Sequence, residues 1–77
     1  MKHITYYIDE TTHSEQDYKD GKDMEWNPVL EEGTKSEAIS FAEQYLGNRK
    51  STRGVRVDER TDEEGKEDIV TIFTKFL

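Results

Sequence analysis

The chain has 77 residues, of which 31% are hydrophobic and 38% charged, with a formal net charge of −7 and no cysteine. One domain of this length buries only about 60–65% of the surface its unfolded chain exposes, so its core must be thin. The composition excludes disulfides, thiolate metal sites and thiol catalysis, and the net negative charge disfavours anionic membranes and nonspecific DNA binding.

Low apolar content leans toward disorder. Against it, the apolar residues cluster in periodic segments and the chain has a single proline, so residues 1–77 are expected to form one folded domain. No apolar run approaches the roughly 20 residues that span a bilayer. Polar residues enter too early at the N-terminus for a signal peptide, and a cytoplasmic location is the expectation.

Ile4, Tyr6 and Ile8 alternate with Thr5 and Tyr7, a strand pattern rich in β-branched and aromatic residues. Residues 9–23 show no apolar periodicity and read as a long polar loop with Tyr18 as its only large apolar group. Residues 24–30 resume a strand pattern. Met24, Trp26 and Leu30 would share a face, and Pro28 places the strand at an edge or interrupts it.

Thr34, Lys35, Ser36 and Glu37 spell a capping box. The helix that follows carries Ala38, Ile39, Phe41, Ala42, Tyr45 and Leu46 in one apolar stripe, and Gly47-Asn48 predicts a left-handed stop. Two strands, 55–60 and 67–76, flank a turn at residues 62–65. Pairing Thr61 with Lys66 sets Val57 opposite Val70, Val55 opposite Ile72, and Arg60 opposite Glu67. That register puts Val55, Val57, Val70, Ile72 and Phe76 under the helix with Ile4, Tyr6, Ile8 and Trp26, and leaves Ile69 and Phe73 on the other face. The fold expected is α+β: a four-stranded antiparallel sheet with one helix packed on one face, in the order β-β-α-β-β.

The charges are unevenly distributed. An acidic block comprises Asp9, Glu10, Glu15, Asp17, Asp20, Asp23 and Glu25, continuing to Glu31 and Glu32; a second runs from Asp58 to Asp68. Arg49, Lys50, Arg53 and Arg56 form a basic island between them. His3 and His13 near the first block match neither an EF-hand nor a zinc spacing, so no metal and no cofactor is expected. The carboxylates stand in polar segments where burial would not tune them for acid–base work, and no phosphate loop or nucleophile context is present, so no catalysis is expected.

Carboxylates along a surface imitate phosphates, and Tyr18 adds an aromatic contact. Asp9, Glu10, Glu15, Asp17, Tyr18, Asp20, Asp23 and Glu25 are therefore the expected partner-binding residues. Arg49, Lys50, Arg53 and Arg56 are a secondary basic patch that equally complements a helix C-terminus; direct nucleic-acid binding is not expected. The alternative is a homodimer joined through Ile69, Phe73 and the edge carrying Pro28.

The outline of strand 4–8, the segment Trp26-Asn27-Pro28-Val29, the helix start at Thr34–Ile39 and the closing hairpin resembles short phage- and prophage-encoded α+β proteins. Among these it is similar in architecture to small anti-CRISPR proteins, several of which are one helix on an antiparallel sheet. The resemblance covers most of the chain as a pattern of elements. It implies a soluble, non-enzymatic inhibitor of a host nucleic-acid-binding complex such as a CRISPR effector, and the acidity fits a DNA mimic.

Overall fold

The computed structural model describes residues 2–77. Its elements are β1 (His3–Thr11), α1 (Glu15–Lys19), β2 (Asn27–Glu32), α2 (Lys35–Asn48), β3 (Gly54–Glu63) and β4 (Lys66–Phe76). The strands form one antiparallel sheet in the order β2-β1-β3-β4, and α2 packs across one face. The expected α+β fold is the observed one. Pro28 lies in an edge strand, where a missing ladder donor does least harm.

α2 begins as its sequence dictates: the Thr34 hydroxyl accepts from the Glu37 backbone N–H at 3.3 Å. Ala38, Ala42 and Leu46 are its buried stripe, flanked by the partly buried Ile39, Phe41 and Tyr45. Two alanines in the contact line let the helix lie close to Tyr6, Ile8, Val55 and Val57, which form the sheet side of the core. The left-handed stop is absent. α2 continues through Gly47 and Asn48, and its cap, Arg49, is extended with φ −116°. The chain then crosses directly to β3, held by the Arg53 N–H donating to the Thr11 carbonyl at 2.9 Å.

The closing hairpin forms in a different register from that expected. Glu63 pairs with Lys66 around a two-residue turn, so Thr61 meets Asp68 and Arg60 meets Ile69. Glu64 (φ 49°) and Gly65 (φ 82°) both take positive φ, as the type I′ hairpin turn requires. A register shift between Val57 and Asp58 then inserts Ile72 as an extra residue, so Val57 pairs with Phe73 and Val55 with Lys75. The bulge reverses the face assignment beyond it. Ile72 and Phe73 pack against the core, whereas Phe76 moves to the open face. Ile69 does lie on the open face, 57% exposed.

The segment before β2 also departs from expectation. β1 runs to Thr11, so Asp9 and Glu10 are strand residues rather than loop residues. The loop contains α1, whose N-cap Ser14 accepts from the Asp17 N–H at 3.2 Å. β2 starts only at Asn27. Trp26 is not beneath α2; it packs edge-on to Phe76 on the open face, with ring centroids 6.1 Å apart.

Candidate partner-binding surface

The sheet register sorts the predicted acidic residues into two groups. Asp9 faces the open side, where its carboxylate takes a 3.1 Å contact from Arg56 Nε and is largely buried. Glu10 points the other way, toward α2, and accepts from the Tyr45 hydroxyl and from Thr52 Oγ1, the latter at 2.8 Å. Both hold the fold together and are not presented to a partner, contrary to the sequence-based expectation. Alternation along a strand explains it: a carboxylate in a central strand must point at one crowded face or the other.

Glu15, Asp17 and Asp20 lie on or beside α1 and are compensated locally. Lys19 lies 3.8 Å from Glu15, and Gln16 donates to Asp20 at 2.8 Å. Lys22 and His13 approach Asp17 at 3.3 and 3.4 Å. The Lys22 ammonium, with help from His13, holds the Asp17 carboxyl below the usual carboxylate range, although partial desolvation opposes it. Tyr18 is half exposed and leans on Phe76 with centroids 5.2 Å apart. Asp23 and Glu25 are exposed and form no ion pair among the described residues.

The basic island is divided. Arg56 belongs to β3 and is no part of a free patch: it bridges Asp9 and Asp58 and its guanidinium lies 4.6 Å over the Trp26 ring. Asp58, itself nearly buried, also accepts from Thr71 Oγ1 at 2.6 Å. Arg49 stacks 5.1 Å over Tyr45. Lys50 and Arg53 remain exposed in the α2–β3 connection.

The open sheet face is thus an internally satisfied ionic ladder. One rung is Arg56 with Asp9 and Asp58. The next is Arg60, which reaches Glu67 at 2.7 Å and Asp62 at 3.1 Å and donates to the Tyr7 hydroxyl at 3.2 Å. The expected Arg60–Glu67 contact therefore survives the register change as a diagonal pair. Among the described residues, no buried side-chain polar atom lacks a partner, and no three His, Cys, Asp or Glu side chains converge as metal ligands would.

Sequence reasoning reached Asp23 and Glu25 as binding residues but left out Glu31, Glu32 and Glu37. Asp23 and Glu25 lead into the β2 edge, which carries Glu31 and Glu32. Glu32 and Glu37 then line a shallow hollow between β2 and the start of α2, with Ser36, Ser40, Phe41 and Gln44. None of these five acids is ion-paired among the described residues. The partly buried Phe41 gives this flank an apolar foothold. The capping box assigned Glu37 to the helix start, but only the fold brings Glu32 beside it.

Comparison with protein-family models, curated proteins and solved structures finds no match to this chain.

Proposed function

We propose that the protein is a non-enzymatic binding module whose acidic β2 flank docks on a basic, nucleic-acid-binding protein. The class of target is a host nucleoprotein complex of the CRISPR-effector kind, and the mode is competition with nucleic acid for a cationic groove. The observation that carries this reading is the set of carboxylates along and around β2: Asp23, Glu25, Glu31, Glu32 and Glu37 lack ion partners among the described residues, whereas Asp9, Glu15, Asp17 and Glu67 are compensated. Uncompensated carboxylates raise a negative potential that steers association with a positive groove. Phe41 beside Glu32 and Glu37 supplies a contact that salt does not screen.

The test is capture from host lysate with the immobilised protein, followed by elution with duplex DNA. The expected result is a nucleic-acid-binding complex released by DNA and by moderate salt. A captured partner that DNA and salt leave in place would refute competition for a nucleic-acid groove.

A further inference from the structure

β4 is an eleven-residue edge strand with no neighbouring strand on its outer side among the described residues. Such an edge presents a row of unpaired backbone N–H and C=O groups. Its apolar side chains add to the exposure: Ile69 and Val70 are 57% and 58% exposed, on opposite faces. We propose that this edge pairs antiparallel with β4 of a second copy, joining two four-stranded sheets into one of eight strands.

The occupant and the register follow from the strand's phase. The two-residue turn makes Glu63 and Lys66 a hydrogen-bonded pair, so backbone groups of Asp68 and Val70 point to β3 and those of Glu67, Ile69 and Thr71 point outward. Beyond the bulge the phase changes. The Leu77 N–H donates to the Arg53 carbonyl at 3.0 Å, which turns the backbone groups of Phe76 and Thr74 outward.

A two-fold pairing must set outward groups against outward groups and like faces together. One such register places Glu67 opposite Phe76 and Ile69 opposite Thr74 as hydrogen-bonded pairs. It places Asp68 opposite Lys75, and Val70 opposite Phe73, on the helix face. On the helix face charge then meets opposite charge and apolar meets apolar, twice over by symmetry, while on the open face Glu67 meets Phe76 and Ile69 meets Thr74. A shift of two residues one way sets Lys66 against Lys75 and Asp68 against Phe73. The other way sets Val70 against Lys75. Centring on Ile69 sets Asp68 against Val70.

The residues that meet are prepared for it. Asp68 forms no ion pair within the chain among the described residues. Lys75 is held at the edge by Glu43 of α2, 3.3 Å away. The bulges of the two strands would lie side by side at the two-fold axis. This edge lies across the sheet from Glu31 and Glu32 of β2 and from the hollow that Glu32 shares with Glu37, so pairing there leaves those three acids free at each outer edge of the dimer, whereas Trp26 packs on Phe76 and brings the Asp23–Glu25 segment toward β4. The earlier expectation of a dimer through Ile69, Phe73 and the Pro28 edge does not survive, because Pro28 lies on the far edge and Phe73 on the other face from Ile69.

Sedimentation of the full chain over a concentration series provides the first test. A strand-edge contact is smaller than a standard interface, so a monomer–dimer equilibrium on the order of micromolar is expected. Thr74→Pro removes an outward N–H that β3 does not use and should weaken the dimer about tenfold or more. The register is tested by cross-linking, which the absence of native cysteine makes clean. An equimolar mixture of Asp68→Cys and Lys75→Cys chains should oxidise mainly to the mixed disulfide. A chain that stays monomeric at about 100 μM, or self-disulfides of either variant dominating over the mixed product, would overturn the proposal.

Discussion

Glu10 is the residue whose role differs most from its appearance in the sequence. It sits in an acidic run, yet it accepts the hydroxyls of Tyr45 from α2 and of the fully buried Thr52, tying helix, loop and sheet together. Glu10→Ala leaves the Thr52 hydroxyl unpaired in the interior and should destabilise the fold by about 1–3 kcal/mol in urea unfolding, with Glu10→Gln, which keeps an acceptor, losing less. Two tyrosines report the same kind of coupling. The Tyr45 phenol is pushed above its usual value by its bond to Glu10 and then by burial; the Tyr6 phenol is pushed up by burial and then by Glu59. A phenol whose folded pKa exceeds its unfolded one stabilises the fold fully below about pH 10. That contribution is lost as pH rises through the raised value. Absorbance titration near 295 nm should therefore show a late-ionising tyrosine component that shrinks in Tyr6→Phe and in Tyr45→Phe, with unfolding following its ionisation.

The β3–β4 hairpin carries two local features with opposite consequences. Glu64 holds φ at 49° without being glycine or asparagine, a conformation that costs a side chain with a Cβ about 1 kcal/mol. Glu64→Asn keeps the turn and lowers that cost, so it should raise stability by about 0.5–1 kcal/mol and shift the urea midpoint upward with unchanged slope. At the other end, Gly54 lies against the ring of Phe76, and a Cβ there would collide with it. Phe76 cannot retreat freely because Tyr18 and Trp26 pack on it. Gly54→Ala should cost about 1–3 kcal/mol, and displaced Phe76 should expose Trp26, seen as a red shift and greater quenching of tryptophan emission.

Across the whole molecule, charge is divided between acids that hold the fold and acids that remain uncompensated. Asp9, Glu10, Asp58 and Glu67 are held by Arg56, Arg60, Thr52 and Tyr45, and among the described residues those of the β2 flank have no ion partner. Reversing Asp23, Glu25 and Glu31 to lysine should therefore leave the circular dichroism unchanged. If the proposed function holds, association with the captured partner should slow by about tenfold or more at low salt, with the difference shrinking as ionic strength rises and the Debye length falls below about 8 Å. Reversing Arg49, Lys50 and Arg53 to glutamate should not slow it. An association rate that responds only to the basic loop would place the binding face at the C-terminal end of α2 instead.

The elements with local signals were legible along the chain. The Thr34 cap and the 3.6-residue stripe specified α2, alternation specified β1, and Pro28 kept β2 at an edge, because each depends on neighbours a few residues away. Register and facing came from long-range pairing. The two-residue turn at Glu64-Gly65 slid the register by two, and the extra residue at Ile72 moved Phe73 under the helix and Phe76 to the open face, since one inserted residue inverts every side chain beyond it. The same long-range pairing took Asp9, Glu10 and Arg56 out of the predicted binding patches and into the fold. It also brought Glu32 of β2 beside Glu37 of α2, two acids that the sequence leaves in separate elements. Charge runs are visible in a sequence, but whether a given carboxylate meets solvent or an internal partner depends on which strand lies beside it, and that is a non-local contact.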